Sequence, residues 1–112
     1  MIHDEHETPV LFRIPRSRTL AATDGVTAVF PADLGTYDPH TMACYAHVGQ
    51  HGACELGPWY YRTRNATPAE YAALRRELES QPYGYRLKVV KRITRKHFAA
   101  RQTEAARLAG RR

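Results

Sequence analysis

A chain of 112 residues, 43% hydrophobic and with two cysteines, fits one small domain around a single core and excludes a second domain or a disulfide framework. Its net charge of +6 hides a division: residues 86–112 hold ten Lys or Arg against one acid, Glu104, while residues 1–85 hold seven against ten. A segment this one-signed attracts polyanions, and no run approaches the ~18 apolar residues of a membrane span.

Residues 1–9 open with His3, Asp4, Glu5, His6 and Glu7, without an apolar leader, and are expected to form a flexible acidic tail on a soluble, cytoplasmic protein. Residues 10–14 (VLFRI) predict a short strand closed by Pro15 and the basic loop around Arg16 and Arg18. Residues 26–30 (VTAVF), rich in β-branched side chains, predict a second strand, and Asp33, Gly35 and Asp38 then mark a loop up to Pro39. From Thr41 the alternation of Met42, Cys44, Ala46 and Val48 against Ala43, Tyr45 and His47 favours a strand over the rival helix. That helix would be capped by Asp38 and would align His40, Cys44, His47 and His51. Gly49 to Gly52 supply a turn, and residues 53–64 return as the second strand of a hairpin, with Gly57 and Pro58 marking a bulge or break.

Thr67, Pro68 and Glu70 spell a capping box, which predicts a helix from residue 68 to about residue 80. Tyr71, Leu74 and Leu78 form its apolar stripe. After the stop at Pro82 and Gly84, residues 86–93 (RLKVVKRI) predict a strand with one basic face. Thr94 caps a last helix over 95–109 that is poor in large apolar residues and is expected to dock weakly or project into solvent. The whole reads as an α+β domain over residues 10–94, a small and mainly antiparallel sheet (hairpin, helix, strand) packed on one helix. A basic C-terminal helix follows over residues 95–112.

Three constellations carry possible chemistry. If Trp59 and Tyr61 face the helix, Tyr60, Arg62 and Arg64 face away and join Arg86, Lys88 and Arg92 on an open sheet face, where rings stack on bases and cations neutralise phosphates. Arg95, Lys96 and Arg101 of the last helix extend this set with backbone contacts. The ordinary alternative is a solvated face whose basic stems cover apolar surface. The second constellation, Cys44, His47, His51 and Cys54, has the ligand types of a small zinc-binding domain. A regular hairpin centred on Gly49 sets Cys44 opposite Cys54 and His47 opposite His51, on opposite faces, which argues against one shared metal. A Cys44/His47 nucleophile fails on the same strand phase and has no orienting acid, so neither enzyme activity nor a cofactor is expected. The third is protein-directed: a basic end beside Tyr37, Tyr45, Trp59, Tyr60, Tyr83 and Tyr85 suits docking on an acidic protein surface.

The runs AVFPADLGTYDP and ACYAHVGQHGAC, with RNATPAEYAALRRELES and GYRLKVVKRIT, resemble a group of small proteins of bacterial plasmids and integrative elements, over about residues 26–94. The resemblance implies a bacterial cytosol and a role in element maintenance, gene control or defence evasion. It implies no activity, cofactor or site. The expected function is therefore non-enzymatic nucleic-acid binding by an accessory protein of a mobile element. The alternatives are a protein-binding modulator or inhibitor of a host complex and a small zinc-binding domain.

Overall fold

The run VLFRI becomes an interior strand of the sheet, paired on both sides. The computed structural model describes residues 7–16, 25–46, 50–55 and 57–110. In it β1 (Thr8–Pro15) pairs antiparallel with β2 (Thr27–Phe30), Leu11 opposite Val29. Its other edge is shared by two short strands. β5 (Thr63–Asn65) runs antiparallel along Arg13 to Pro15, and β6 (Leu87–Val89) runs parallel along Thr8 to Val10. The hairpin of β3 (Thr41–Ala46) and β4 (Gln50–Glu55) continues the sheet beyond β2, giving the order β4-β3-β2-β1-β5 with β6 beside β1. A strand apolar at consecutive positions has both faces to bury. Val10, Phe12 and Ile14 enter one core cluster and Leu11 enters another.

The first face is covered by α2 (Pro68–Glu79), the helix between β5 and β6. Leu74 and Leu78 are buried against Val10, Phe12, Ile14, Phe30 and Tyr45, and Tyr71 stacks on Phe12 with centroids 4.4 Å apart. Tyr45, 1% exposed, keeps its polar tip satisfied: the hydroxyl donates to the Glu77 carboxylate and lies 3.3 Å from the Tyr83 hydroxyl, which ties β3 to the helix. The capping box at Thr67 is formed as the sequence implies. Thr67 Oγ1 accepts from the Glu70 N–H and the Glu70 carboxylate accepts from the Thr67 N–H. Thr67→Ala is expected to cost about 1 kcal/mol, read as a lower midpoint in chemical denaturation with an unchanged slope.

The second face carries Leu11, Val29 and Met42, packed against Cys54, Trp59, Val90 and Ile93. Here α3 (Arg95–Ala109), the final helix, does more than project. Its Arg101 is 3% exposed and its Phe98 ring meets the His40 ring at 5.3 Å. The antiparallel α+β sheet with a C-terminal helix stands as expected, but the second face is not left open. The amphipathic signal of α3 is weak because a buried arginine replaces an apolar anchor.

Four local expectations are corrected. The returning strand of the hairpin ends at Glu55; Pro58 starts a helical turn, α1 (Pro58–Tyr61), and β5 then pairs with β1 instead of β3. The break read at Gly57 and Pro58 is thus an end, and Gly57 enters the turn at φ 156°. The hairpin is centred one residue earlier than the glycine pattern implies, with Cys44 opposite Gly52 and Met42 opposite Cys54. Gly52 is a strand residue, and the tighter steric demand falls on a loop glycine, since a Cβ on Gly35 would stand 2.5 Å from the Met42 carbonyl oxygen. β6 keeps only three residues, because the chain bends after Val89 and sends Val90 and Ile93 to the second face. Of the tail expected over 1–9, residues 1–6 lie outside the described residues and Thr8 and Pro9 belong to β1.

Candidate nucleic-acid interface

The residues proposed from the sequence separate into two groups. Tyr60, Arg62 and Arg64 lose their common face, since strand alternation does not run through a helical turn. Tyr60 is capped by Arg13, whose guanidinium carbon lies 4.0 Å from the ring centroid. Arg64 grips Glu70 with two parallel bonds of 2.8 Å. That clamp, with the Thr67 N–H, holds the Glu70 carboxyl down at about 2. Arg62 is exposed beside Tyr61. Arg101 is also lost to the surface: it is buried on the second face, its guanidinium carbon 5.4 Å from the Phe98 centroid.

The second group stays exposed along one short stretch of chain. Arg86 precedes β6, Lys88 lies within it, Arg92 follows it, and Arg95 and Lys96 occupy the first turn of α3; all five are exposed. Lys88 alternates with Leu87 and Val89, which pack into the first core cluster, so it lies on the side of the sheet where α3 sits. Lys91, which strand phase would have assigned to the core side with Leu87 and Val89, is exposed as well and belongs to this group. The sequence signal that finds it is the absence of any acid between Glu79 and Glu104. Among the described residues Lys88, Lys91, Arg92, Arg95 and Lys96 form no ion pair, whereas Arg64, Arg75 and Arg107 are matched by Glu70, Glu79 and Glu104.

Electrostatics at the start of α3 run against the helix. α2 places Glu70 in its first turn, as the positive end of a helix dipole favours; α3 has no acid in its first turn and starts with two cations. Its cap is made instead by Thr94 and His97, whose Nδ1 accepts from the Thr94 N–H at 3.0 Å. Burial and the nearby Arg101 push the His97 pKa down, which keeps that nitrogen free to accept.

A cavity of about 230 Å³ opens beside Lys91, floored by Phe12 and Tyr71 and walled by Ala66, Pro68, Val89 and Val90. It is smaller than the roughly 300–1,000 Å³ of ordinary ligand pockets. Asn65 at its edge is already committed, accepting from Arg13 and donating to the Lys91 carbonyl oxygen.

The metal constellation is not assembled by the described part of the chain. Cys44 and Cys54 share the second face, and His51 sits in β4 opposite Tyr45, at a position belonging to the other face. His47 and the side chain of His51 lie outside the described residues. Among the described residues no three His, Cys, Asp or Glu side chains converge as a metal site. Of the aromatics considered as docking anchors, Tyr45 is core, Tyr85 stacks on Phe30, and Tyr37 is 64% exposed. Tyr61, which strand phase had turned inward, is 72% exposed.

Comparison of the chain with protein-family models, curated proteins and solved structures found no match.

Proposed function

We propose that this is a non-enzymatic domain that binds nucleic acid through Arg86, Lys88, Lys91, Arg92, Arg95 and Lys96, in keeping with an accessory role in a bacterial mobile element. The observation that carries this reading is the pair of cations on the first turn of α3, preceded by Lys88, Lys91 and Arg92, which have no carboxylate partner among the described residues. Placing like charge at a helix N-terminus costs about 0.3–1 kcal/mol per group, and a phosphate seated there would relieve it. Local rules of stability are broken most often where a surface serves a partner.

Binding would be dominated by phosphate neutralisation, with little sequence readout, because Lys88, Lys91, Arg92, Arg95 and Lys96 are solvated side chains that no hydrogen bond among the described residues fixes in one orientation. The apolar cavity beside Lys91 has room for an unstacked base, which favours single strands over duplex. Fluorescence anisotropy with labelled oligonucleotides at several salt concentrations tests this. Six phosphate contacts predict a log–log salt slope of about −4 for single strands and about −5 for duplex. A slope near zero would refute the reading. Loss of residues 95–112 should weaken binding for all sequences alike. The alternative occupant, an acidic protein surface, would survive nuclease treatment in a pull-down while oligonucleotide binding stayed undetectable.

A further inference from the structure

Beneath α3, the hairpin brings together two thiols that the nucleic-acid reading does not use. Cys44 faces Gly52 and Cys54 faces Met42, so the cysteines are diagonal neighbours on one face, and each is partly exposed. The absence of a side chain at Gly52 leaves room there, since even a Cβ would stand 3.5 Å from Cys44 Sγ. Interaction between the two thiols holds the Cys44 thiol down at about 7, and the same interaction together with burial pushes Cys54 up. The third member is Arg101. It is 3% exposed, its charge acts on Cys54, and its Nε has no hydrogen-bond partner among the described residues.

We propose that Cys44 and Cys54 are a peroxide-reactive thiol pair, Cys44 attacking and Cys54 resolving, with Arg101 positioned to stabilise the negative charge that passes between them. In the first step the Cys44 thiolate attacks one oxygen of hydrogen peroxide. The O–O bond breaks, hydroxide leaves and is protonated to water, and Cys44 becomes a sulfenic acid, oxidised by two electrons. In the second, Cys54 gives up its proton and attacks the Cys44 sulfur. The S–O bond breaks and the departing hydroxide takes that proton, so that two thiols and one peroxide become a disulfide and two waters. Oxidation of Cys44 removes the thiolate that had kept the proton on Cys54, while the Arg101 charge remains. Diagonal strand neighbours lie about 7–8 Å apart at Cα and a disulfide closes below about 7 Å, so the bridge draws the strands together and should be readily reduced.

The test uses the full chain. With equimolar hydrogen peroxide, intact mass spectrometry should show a monomer lighter by two hydrogens, restored by dithiothreitol. Cys54→Ser should instead yield a sulfenic acid trapped by dimedone at Cys44, and Arg101→Met should increase dimedone capture by slowing the second step. At pH 7 iodoacetamide should modify Cys44 about threefold faster than a free cysteine, the larger thiolate fraction being partly offset by its lower nucleophilicity. An unchanged mass after peroxide in the unmutated protein would overturn the proposal, as would trapping at Cys54 in Cys44→Ser.

Discussion

Arg13→Met should destabilise this domain by about 3 kcal/mol or more, a drop of at least about 10 °C in Tm, although the new side chain is apolar and the site is buried. Arg13 is 6% exposed and lies in β1. Its guanidinium donates to Thr63 Oγ1 at 2.9 Å, Asn65 Oδ1 at 2.7 Å, the Tyr60 carbonyl at 3.1 Å and the Thr63 carbonyl at 2.9 Å, and it covers the Tyr60 ring. Among the described residues no carboxylate takes part, so carbonyl dipoles, a hydroxyl, an amide and one π-face take the place of water around the charge. Removing it leaves the buried Thr63 hydroxyl oxygen and carbonyl without their donor, although the Tyr60 carbonyl keeps the Thr63 hydroxyl and Asn65 is exposed, and that penalty exceeds what the methionine recovers by hydrophobic burial.

The same residue holds β5 and α1 to β1, so the loss has a local signature. Hydrogen exchange at Arg64 and Ala66, the amides that face β1, should accelerate in the variant more than exchange in the β2–β3 pair. Arg13→Lys should recover only part of the loss, because one ammonium cannot span four acceptors set for a planar fork. A methionine variant as stable as the unmutated protein would show that the network does not hold the edge of the sheet.

The second large effect concerns the basic strip. The combined variant Lys88→Glu, Arg92→Glu, Arg95→Glu and Lys96→Glu should bind oligonucleotides at least about 100-fold more weakly at about 0.1 M salt, with a salt slope shallower by about 3 to 4. The matched control is Arg64→Gln with Arg75→Gln, which removes cations already engaged by Glu70 and Glu79 and should leave the slope near its original value. Stability supplies an independent sign. Acids at the first turn of α3 suit the helix dipole, so Arg95→Glu and Lys96→Glu alone should each stabilise the fold by about 0.3–1 kcal/mol, read as a slightly higher Tm, while binding falls. A fall in both would mean that these cations support the fold and would remove the main support for the nucleic-acid reading.

Acid should loosen the start of α2. The Glu70 carboxyl is held at about 2, well below its unfolded value, by Arg64 and the Thr67 N–H. A lowered folded pKa stabilises above the unfolded value, so this contribution is complete at neutral pH and fades as the pH falls through the acidic range toward 2. Chemical denaturation of the unmutated protein and of Glu70→Gln across that range should show the difference between the two shrinking as the pH drops.

How much was legible follows from how local each signal is. The capping box at Thr67, the cap at Thr94, the stripe of Tyr71, Leu74 and Leu78, and the β-branched run ending at Phe30 are written within a few residues, and both long helices and β2 lie where those signals put them. β6 keeps only three of the residues whose alternation predicts a strand over 86–93, and β5 lies at the end of the stretch read as the hairpin's returning strand, its partner being β1 instead. Arg13 illustrates the same limit at a single residue. Within VLFRI it reads as a polar interruption, and only the arrival of Thr63 and Asn65 from about fifty residues away makes it a structural centre.

Charge and composition determined on their own that residues 86–112 are strongly cationic, because a charge count does not depend on how the chain folds. Which cations remain exposed was decided by the tertiary structure: Arg64 was drawn into Glu70, Arg101 was buried against the sheet, and Lys91 was left in solvent where strand phase would have buried it. The register was decided the same way: the glycine pattern sets Cys44 directly opposite Cys54, and the one-residue change in the hairpin centre makes them diagonal neighbours and alters every other cross-strand pair.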